Sequence, residues 1–301
     1  MLKASRNFFD QRNVLEVDCP ILSPRASVDA HIDLISAHYP GKTPCYMHSS
    51  PEYGMKRLMA EGIGDIYQIS HVFRDDEISA KHNPEFTMVE WYRLDYDLEE
   101  MIDETVQFIR LFVGNLPYSI VNYRDIILEK TGIDYLKASE KELFNYIKRN
   151  NIAWYSSILE EGKDALLNLI LGSLIEPQLG IDRLCVLAYY PASQAALASK
   201  RWHGDECVAE RFEVYFQGVE LANGYHELTD AKEQRERFEE ANIIRVALGK
   251  NQLPVDENFL QALEKGLPDC CGVAIGFDRL LMLRQKQSNI SEVLPWGWEK
   301  A

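Results

Sequence analysis

Apolar and polar residues alternate most strictly over 86–92. Phe86, Met88, Glu90 and Tyr92 fall on one face of a strand, and Thr87, Val89 and Trp91 on the other. Across roughly the first 95 residues, short strand-like runs of this kind are separated by loops rich in Pro, Ser and His. The period then changes. Residues 98–113, LEEMIDETVQFIRLFV, predict a helix with Met101, Thr105, Phe108 and Phe112 on one stripe, and Asp97 with Glu100 makes a capping box. Residues 139–179 are predicted helical as well. In DALLNLILGSLI, Leu166, Ile170 and Leu174 share a face, as do Leu167, Leu171 and Ile175. FEVYF-QG-VELA, residues 212–222, predicts a hairpin, and 230–248 a helix that stops at Gly249. Both ends read as a strand-bearing core with a helical insertion at about 98–180, all within one catalytic domain, 1–301. Without a βαβ rhythm, an α+β fold is expected, with an antiparallel sheet flanked by helices.

Composition narrows the function classes. With 301 residues, 46% hydrophobic and 26% charged, the chain is neither disordered nor fibrous, and its length allows one large domain or two small ones. The net charge of -15 argues against broad binding to a phosphate backbone. Nucleotides stay open, because they need only a few placed cations. Cys19, Cys45, Cys185, Cys207, Cys270 and Cys271 form no C-x-x-C and read as scattered reduced thiols. The opening MLKASRNFFDQRNVLEV has no signal-like apolar run, and no segment reaches membrane-spanning length, so a cytoplasmic protein is expected. Neither G-x-x-x-x-G-K-[ST] nor G-x-G-x-x-G occurs; if ATP binds, a glycine loop is not the device. No motif marks a Ser-His-Asp triad.

The densest chemistry lies in IYQISHVFRDDEISAKHNPEFTMVEWY, residues 66–92. Taken singly, an Arg beside two acids is ordinarily a solvated ion pair, and a Glu on a strand ordinarily faces water. Taken whole, F-R-(acidic pair)-loop-H-N-P-E-F-T-M-x-E-x-Y resembles motif 2 of the class II aminoacyl-tRNA synthetases, most of all the lysine-specific ones. GVAIGFDRLLML, residues 272–283, resembles motif 3, and VLEVDCPIL resembles motif 1, with Pro20 at the motif proline. RFEVYFQGVELANGYHELTDA resembles the lysyl family's metal and amino-acid segment. The resemblance covers essentially the whole chain and implies a class II synthetase core. Motif 1 starts at the first residues, so the anticodon-binding OB domain of lysyl-tRNA synthetases is expected to be absent. That short architecture, with HSSPEYGMKRL, YYPASQAAL and ELANGYHELTDA, resembles the elongation factor P–lysine ligases, paralogues of lysyl-tRNA synthetase.

The resemblance implies roles residue by residue. Arg74 matches the motif 2 arginine on the α-phosphate and the amino-acid carboxylate, and Arg279 the motif 3 arginine on the γ-phosphate. A planar guanidinium suits both tasks because it binds two oxygens at once. Further ATP contacts are implied at Asp76, Asn83, Glu220, Leu221 and Gly276. For the amino acid, Ser50, Glu52 and Glu90 match positions near the α-amino group, Glu227 with Tyr92 the ε-amino pair, Asn223 the carboxylate contact, and Ala274 the pocket floor. A neutral side chain facing a buried Glu would leave the carboxylate unpaired at roughly 2–5 kcal/mol. Glu213 and Glu220 are the candidate Mg2+ ligands. With Gln217-Gly218 as the turn, Tyr215 pairs with Glu220, and Glu213 lies diagonal to it at about 7–8 Å.

Three positions depart from the family pattern. Asp76 stands where motif 2 usually has Glu, Lys81 where full-length synthetases have Arg, and Ala274 where lysyl enzymes have glycine. His82, His226 and Met88 are read as packing or hydrogen-bonding residues. The expected activity is ATP-dependent activation of lysine or (R)-β-lysine as an adenylate, then transfer to a lysine of elongation factor P, by a homodimer with ATP and Mg2+. A minimal lysine–tRNA ligase is one alternative, disfavoured because no basic module is present. The other is a catalytically silent lysine or nucleotide sensor, disfavoured by Arg74, Arg279, Glu213 and Glu220 being intact.

Overall fold

A computed structural model describes residues 1–38 and 44–301. In chain order the principal elements are helix α1 (Glu52–Ala60), strands β1 (Ile66–Phe73) and β2 (Glu85–Leu94), and helix α2 (Leu98–Val113). Strands β3 (Leu184–Pro191), β4 (Glu206–Phe216) and β5 (Val219–His226) follow, then helix α3 (Ala231–Ala247), strand β6 (Cys270–Gly276) and helix α4 (Phe277–Arg284). The fold is α+β, and the chain forms two compact units, one of Met1–Asn115 with Glu227–Ala301, the other of Leu116–His226.

In the first unit β2 pairs antiparallel with β1 on one side and β6 on the other. Register places Tyr92 against Gly272, Glu90 against Ala274 and Met88 against Gly276. One face of this sheet therefore carries the three smallest side chains of β6 beside the carboxylate and phenol of β2. The opposite face carries bulk. Trp91 meets Phe9 and Phe108 at 5.3 Å between ring centroids, and its indole N–H donates to Glu104 Oε1 at 3.0 Å. Helix α2 supplies Phe108 and buries its Met101–Thr105–Phe108–Phe112 stripe. The expected box caps it: Asp97 Oδ1 accepts from the Glu100 N–H and Glu100 Oε2 from the Asp97 N–H. Helix α4 starts where β6 ends, and Asp278 Oδ2 accepts from the Thr87 N–H at 2.7 Å, tying the helix start to β2.

In the second unit β4 lies antiparallel to both β3 and β5. Gln217 and Gly218 both have positive φ, the conformation a two-residue hairpin turn needs. Leu166, Leu167, Ile170, Leu171 and Ile175 are buried in one cluster with Tyr123, Leu143 and Ile147. The α-helix there ends at Ile170, and Leu171–Ile175 continues as a wider π turn. Within the segment expected to be helical, Tyr118–Asn122 is instead a strand parallel to β3. Its β-branched Ile120-Val121 pair suits a strand, and Asn122 caps the helix Tyr123–Thr131 that follows.

Candidate active site

Helix α1 brings Glu52 and Lys56 to one face, four residues apart. Lys56 Nζ lies 2.6 Å from Glu52 Oε1 and 2.5 Å from Glu227 Oε2. Glu227 is placed beside β6 by its own N–H, which donates to the Cys270 carbonyl at 3.0 Å. Glu90 on β2 accepts from Ser50 Oγ at 2.7 Å and from the Tyr92 hydroxyl at 2.5 Å. Ser50, Glu52, Glu90, Tyr92, Glu227 and Ala274, proposed singly from sequence, thus meet at one place in the first unit. The Tyr92 hydroxyl is turned to Glu90 rather than to Glu227.

The electrostatics follow from three carboxylates sharing one ammonium. Burial, and then the charge of Glu52, push Glu90 up to about 7. Burial pushes Glu227 up to about 8, against the pull of Lys56. Burial would lower Lys56, but Glu227 and Glu52 hold it above its ordinary value, so its ammonium stays charged. Carboxyl groups so placed have the chemistry to meet cationic amines.

Gly272 lies directly beneath these groups. A Cβ there would fall onto Glu227 Oε1 and the Tyr92 ring, so only a glycine leaves Glu227 its position. Ala274, two pairs along and so on the same face, sets its methyl beside Glu90.

The turn joining β1 and β2 carries the second group. Arg74 reaches Glu77 Oε1 at 3.7 Å and sits 5.2 Å from the Phe86 ring centroid, and its Nε is buried with no hydrogen-bond partner among the described residues. A buried donor with no protein acceptor suits an anionic ligand. Arg279, in the first turn of α4, donates from Nη2 to His82 Nε2 at 2.6 Å. His82 Nδ1 meets Ser79 Oγ at 2.7 Å. Burial, and then the charges of Arg279 and Arg74, lower the His82 pKa; both arginines therefore belong to one neighbourhood. Asp76 lies at the exposed tip of the turn with φ 58°. Asn83 is engaged at both ends of its amide, donating to the Glu85 carbonyl and accepting from the Trp298 N–H. Gly276 caps α4, and a Cβ there would come no nearer than 3.5 Å to Arg279, so packing alone does not demand glycine.

The hairpin of the second unit carries the third group. Tyr215 pairs with Glu220 as the turn predicts, but the register then shifts, and Glu213 pairs with Asn223 instead of Ala222. This bulge leaves Leu221 buried and separates Glu213 from Glu220 by one residue more than a regular ladder would. Both acids still share a face, because Tyr215 pairs with Glu220 and its hydroxyl donates to Glu213 Oε2 at 2.5 Å. Tyr190 donates to the same oxygen, and Arg211 Nη2 meets Glu213 Oε1, each at 2.5 Å. Arg211 Nε also reaches Asn223 Oδ1 at 3.3 Å. These donors use three of about four lone-pair sites on the Glu213 carboxylate. The all-oxygen set of Glu213 and half-buried Glu220 still fits a hard cation such as Mg2+, with Glu213 offering a single site. Among the described residues no three His, Cys, Asp or Glu side chains cluster in a metal-binding arrangement.

Lys56, Gly272, Arg211 and Asp278 were not singled out from sequence. Lys56 left a faint signal, a Glu four residues ahead of a Lys in a helix with few other charges. Arg211 shares parity with Glu213 on its strand. His82 was read as a hydrogen-bonding residue, and it is one.

The family model for class II tRNA synthetases (D, K and N) matches residues 1–300. The chain is 42% identical over 306 residues to a protein of Hamiltonella defensa subsp. Acyrthosiphon pisum named elongation factor P--(R)-beta-lysine ligase, with 100% of this chain and 94% of that one covered. It is 40% identical over 301 residues to the protein of the same name from Sodalis glossinidius, with 98% and 92% covered. A Klebsiella pneumoniae protein, again of that name, is 42% identical with the same coverage.

Proposed function

We propose that this chain, which belongs to the class II tRNA synthetases (D, K and N), is an ATP-dependent ligase that joins (R)-β-lysine, or lysine, to elongation factor P. The observation that carries the amino-acid specificity is the meeting of Glu52 and Glu227 on the buried Lys56 ammonium, with buried Glu90 close enough to feel both Lys56 and Glu52. The names of the relatives support the acceptor. A net charge of -15 also suits a protein acceptor better than a polyanionic RNA. The same proposal takes 1–301 as one catalytic core, working as a homodimer in the cytoplasm.

The reaction has two steps. A carboxylate oxygen of the amino acid attacks the α-phosphorus of ATP, and the bond from that phosphorus to the β-phosphate oxygen breaks, releasing pyrophosphate. The uncharged ε-amine of an acceptor lysine then attacks the adenylate carbonyl. AMP leaves, the amine loses a proton, and an amide forms. Arg74 and Arg279 supply fixed positive charge where negative charge builds on phosphate oxygens. Glu227 and Glu90 hold the amines, and so orient the carboxylate. Mg2+, held by Glu220 and the remaining lone pair of Glu213, would neutralise phosphate charge as a Lewis acid.

Purified protein with ATP and (R)-β-lysine is expected to add one lysyl mass to elongation factor P, read by intact-mass spectrometry. The mass should vanish when the acceptor lysine is replaced. Efficient charging of lysine tRNA with no labelling of the factor would replace this reading with that of a minimal tRNA ligase.

The pocket floor gives a second expected result. Moving the amine from the α to the β carbon shifts the ammonium by about one bond beside Ala274 and Glu90. Ala274→Gly should raise use of α-lysine relative to β-lysine by roughly tenfold or more, since one methyl is worth about 1–3 kcal/mol. Competition in pyrophosphate exchange measures the ratio, and an unchanged ratio would exclude the methyl as its determinant.

A further inference from the structure

Lys56 is 1% exposed, an uncommon place for a lysine, and nothing in the proposed chemistry uses it. Its ammonium contacts Glu52 and Glu227 and lies 6.0 Å from the Phe259 ring centroid. The other ionisable groups of the cluster are Glu90 and Tyr92 from β2 and Cys270 from β6, with Tyr53 near Glu52 and Cys19 near Glu90. Burial holds those phenols and thiols above their ordinary range, so they stay neutral. The remaining ionisable members are three carboxyl groups and Lys56.

We propose that Lys56 is a specificity-determining positioning residue, whose ammonium reduces the three carboxylates of the pocket to a net charge of two and so matches them to the two ammonium groups of a diamino-acid adenylate. The inference rests on the amino-acid specificity proposed above and goes beyond it. Were Lys56 absent, three carboxylates, those of buried Glu90 and Glu227 and of half-buried Glu52, would face two ammonium groups. The mismatch would be met by protons, which the incoming substrate would then have to displace. Even with Lys56 present, Glu90 and Glu227 hold part of a proton each near neutral pH. Binding of a diamine therefore releases protons, and affinity rises with pH through that range. Each proton released steepens the dependence by up to about tenfold per pH unit. Removing the ammonium raises both carboxylates further. More protons are then displaced at pH 7, and the profile moves to higher pH.

The test measures KM and kcat for β-lysine in pyrophosphate exchange between pH 6 and 8.5, in the full-length protein. Lys56→Met should raise KM at pH 7 by about tenfold or more, with kcat at saturation within about threefold, and the gap should close as the pH rises. Lys56→Arg keeps the charge and should keep the shape of the pH profile, whatever packing does to KM. Calorimetry of the wild type in buffers of different ionisation enthalpy should show net proton release on binding β-lysine near pH 7, and this needs no variant to fold. Parallel KM profiles for the wild type and folded Lys56→Met, or binding without proton release, would overturn the proposal while leaving the ligase reading intact. A wild type that activates no diamino acid would overturn both.

Discussion

Arg279→Ala and Arg74→Ala should each lower pyrophosphate exchange by roughly 10²-fold or more, the scale of losing one donor aimed at developing charge. The structure refines how each loss would act. Arg74 keeps a buried Nε with no partner among the described residues, and its neighbour Glu77 is only loosely engaged at 3.7 Å. Its removal therefore breaks little within the protein and should leave thermal stability close to the wild type. Arg279 is different, because its guanidinium donates to His82 at 2.6 Å and His82 in turn meets Ser79. Arg279→Ala releases that turn, so a loss of ATP affinity should accompany the loss of rate. Steady-state pyrophosphate exchange with varied ATP, beside melting curves, separates the two. Wild-type rates in either variant would sink the motif 2 and motif 3 assignments.

Gly272→Ala should be nearly as damaging, at a position with no functional group at all. The added methyl would occupy the place of Glu227 Oε1 and the Tyr92 ring edge, closer than real Cβ atoms come to their neighbours. Glu227 is buried and anchored through its backbone to Cys270, and swinging it to solvent would leave the buried Lys56 only Glu52 of its two carboxylate contacts. Displacing a positioning group by about an ångström can cost roughly 10²-fold, and overpacking about 1–3 kcal/mol of stability. The expected result is a kcat/KM for the diamino acid lowered by about 10²-fold with a much smaller change in the KM for ATP. A variant that melts earlier yet uses its amino acid as well as the wild type would show that Gly272 serves packing alone.

Much of the site was legible because its residues lie on single, regular elements. Strict alternation placed Glu90 and Tyr92 on one strand face, and the structure puts both opposite the small residues of β6. The Gln217-Gly218 turn was enough to pair Tyr215 with Glu220, since turn length sets hairpin register at its closed end. One residue further, that reasoning fails. The bulge at Leu221 re-registers Glu213 against Asn223, and a bulge has no signature in alternation alone. The strand at Tyr118–Asn122 escaped for a related reason: five residues between two helices are too short for periodicity to separate from its surroundings.

Sequence by itself determined the α+β class, the family, the helix caps and the identity of the candidate acids and arginines, because each is encoded in local spacing or in a contiguous motif. Only the tertiary structure decided that Lys56 is shared between Glu52 and Glu227, that Arg211 pairs with Glu213, and that Gly272 must stay a glycine. Those facts depend on burial and on the meeting of segments far apart in the chain. Residues 52–56 come from one helix, 227 from the chain after β5, and 272 from β6. A charge on a helix face reads the same in sequence whether water or two carboxylates receive it. Packing makes the difference, by removing the water and leaving three acids with one cation to share.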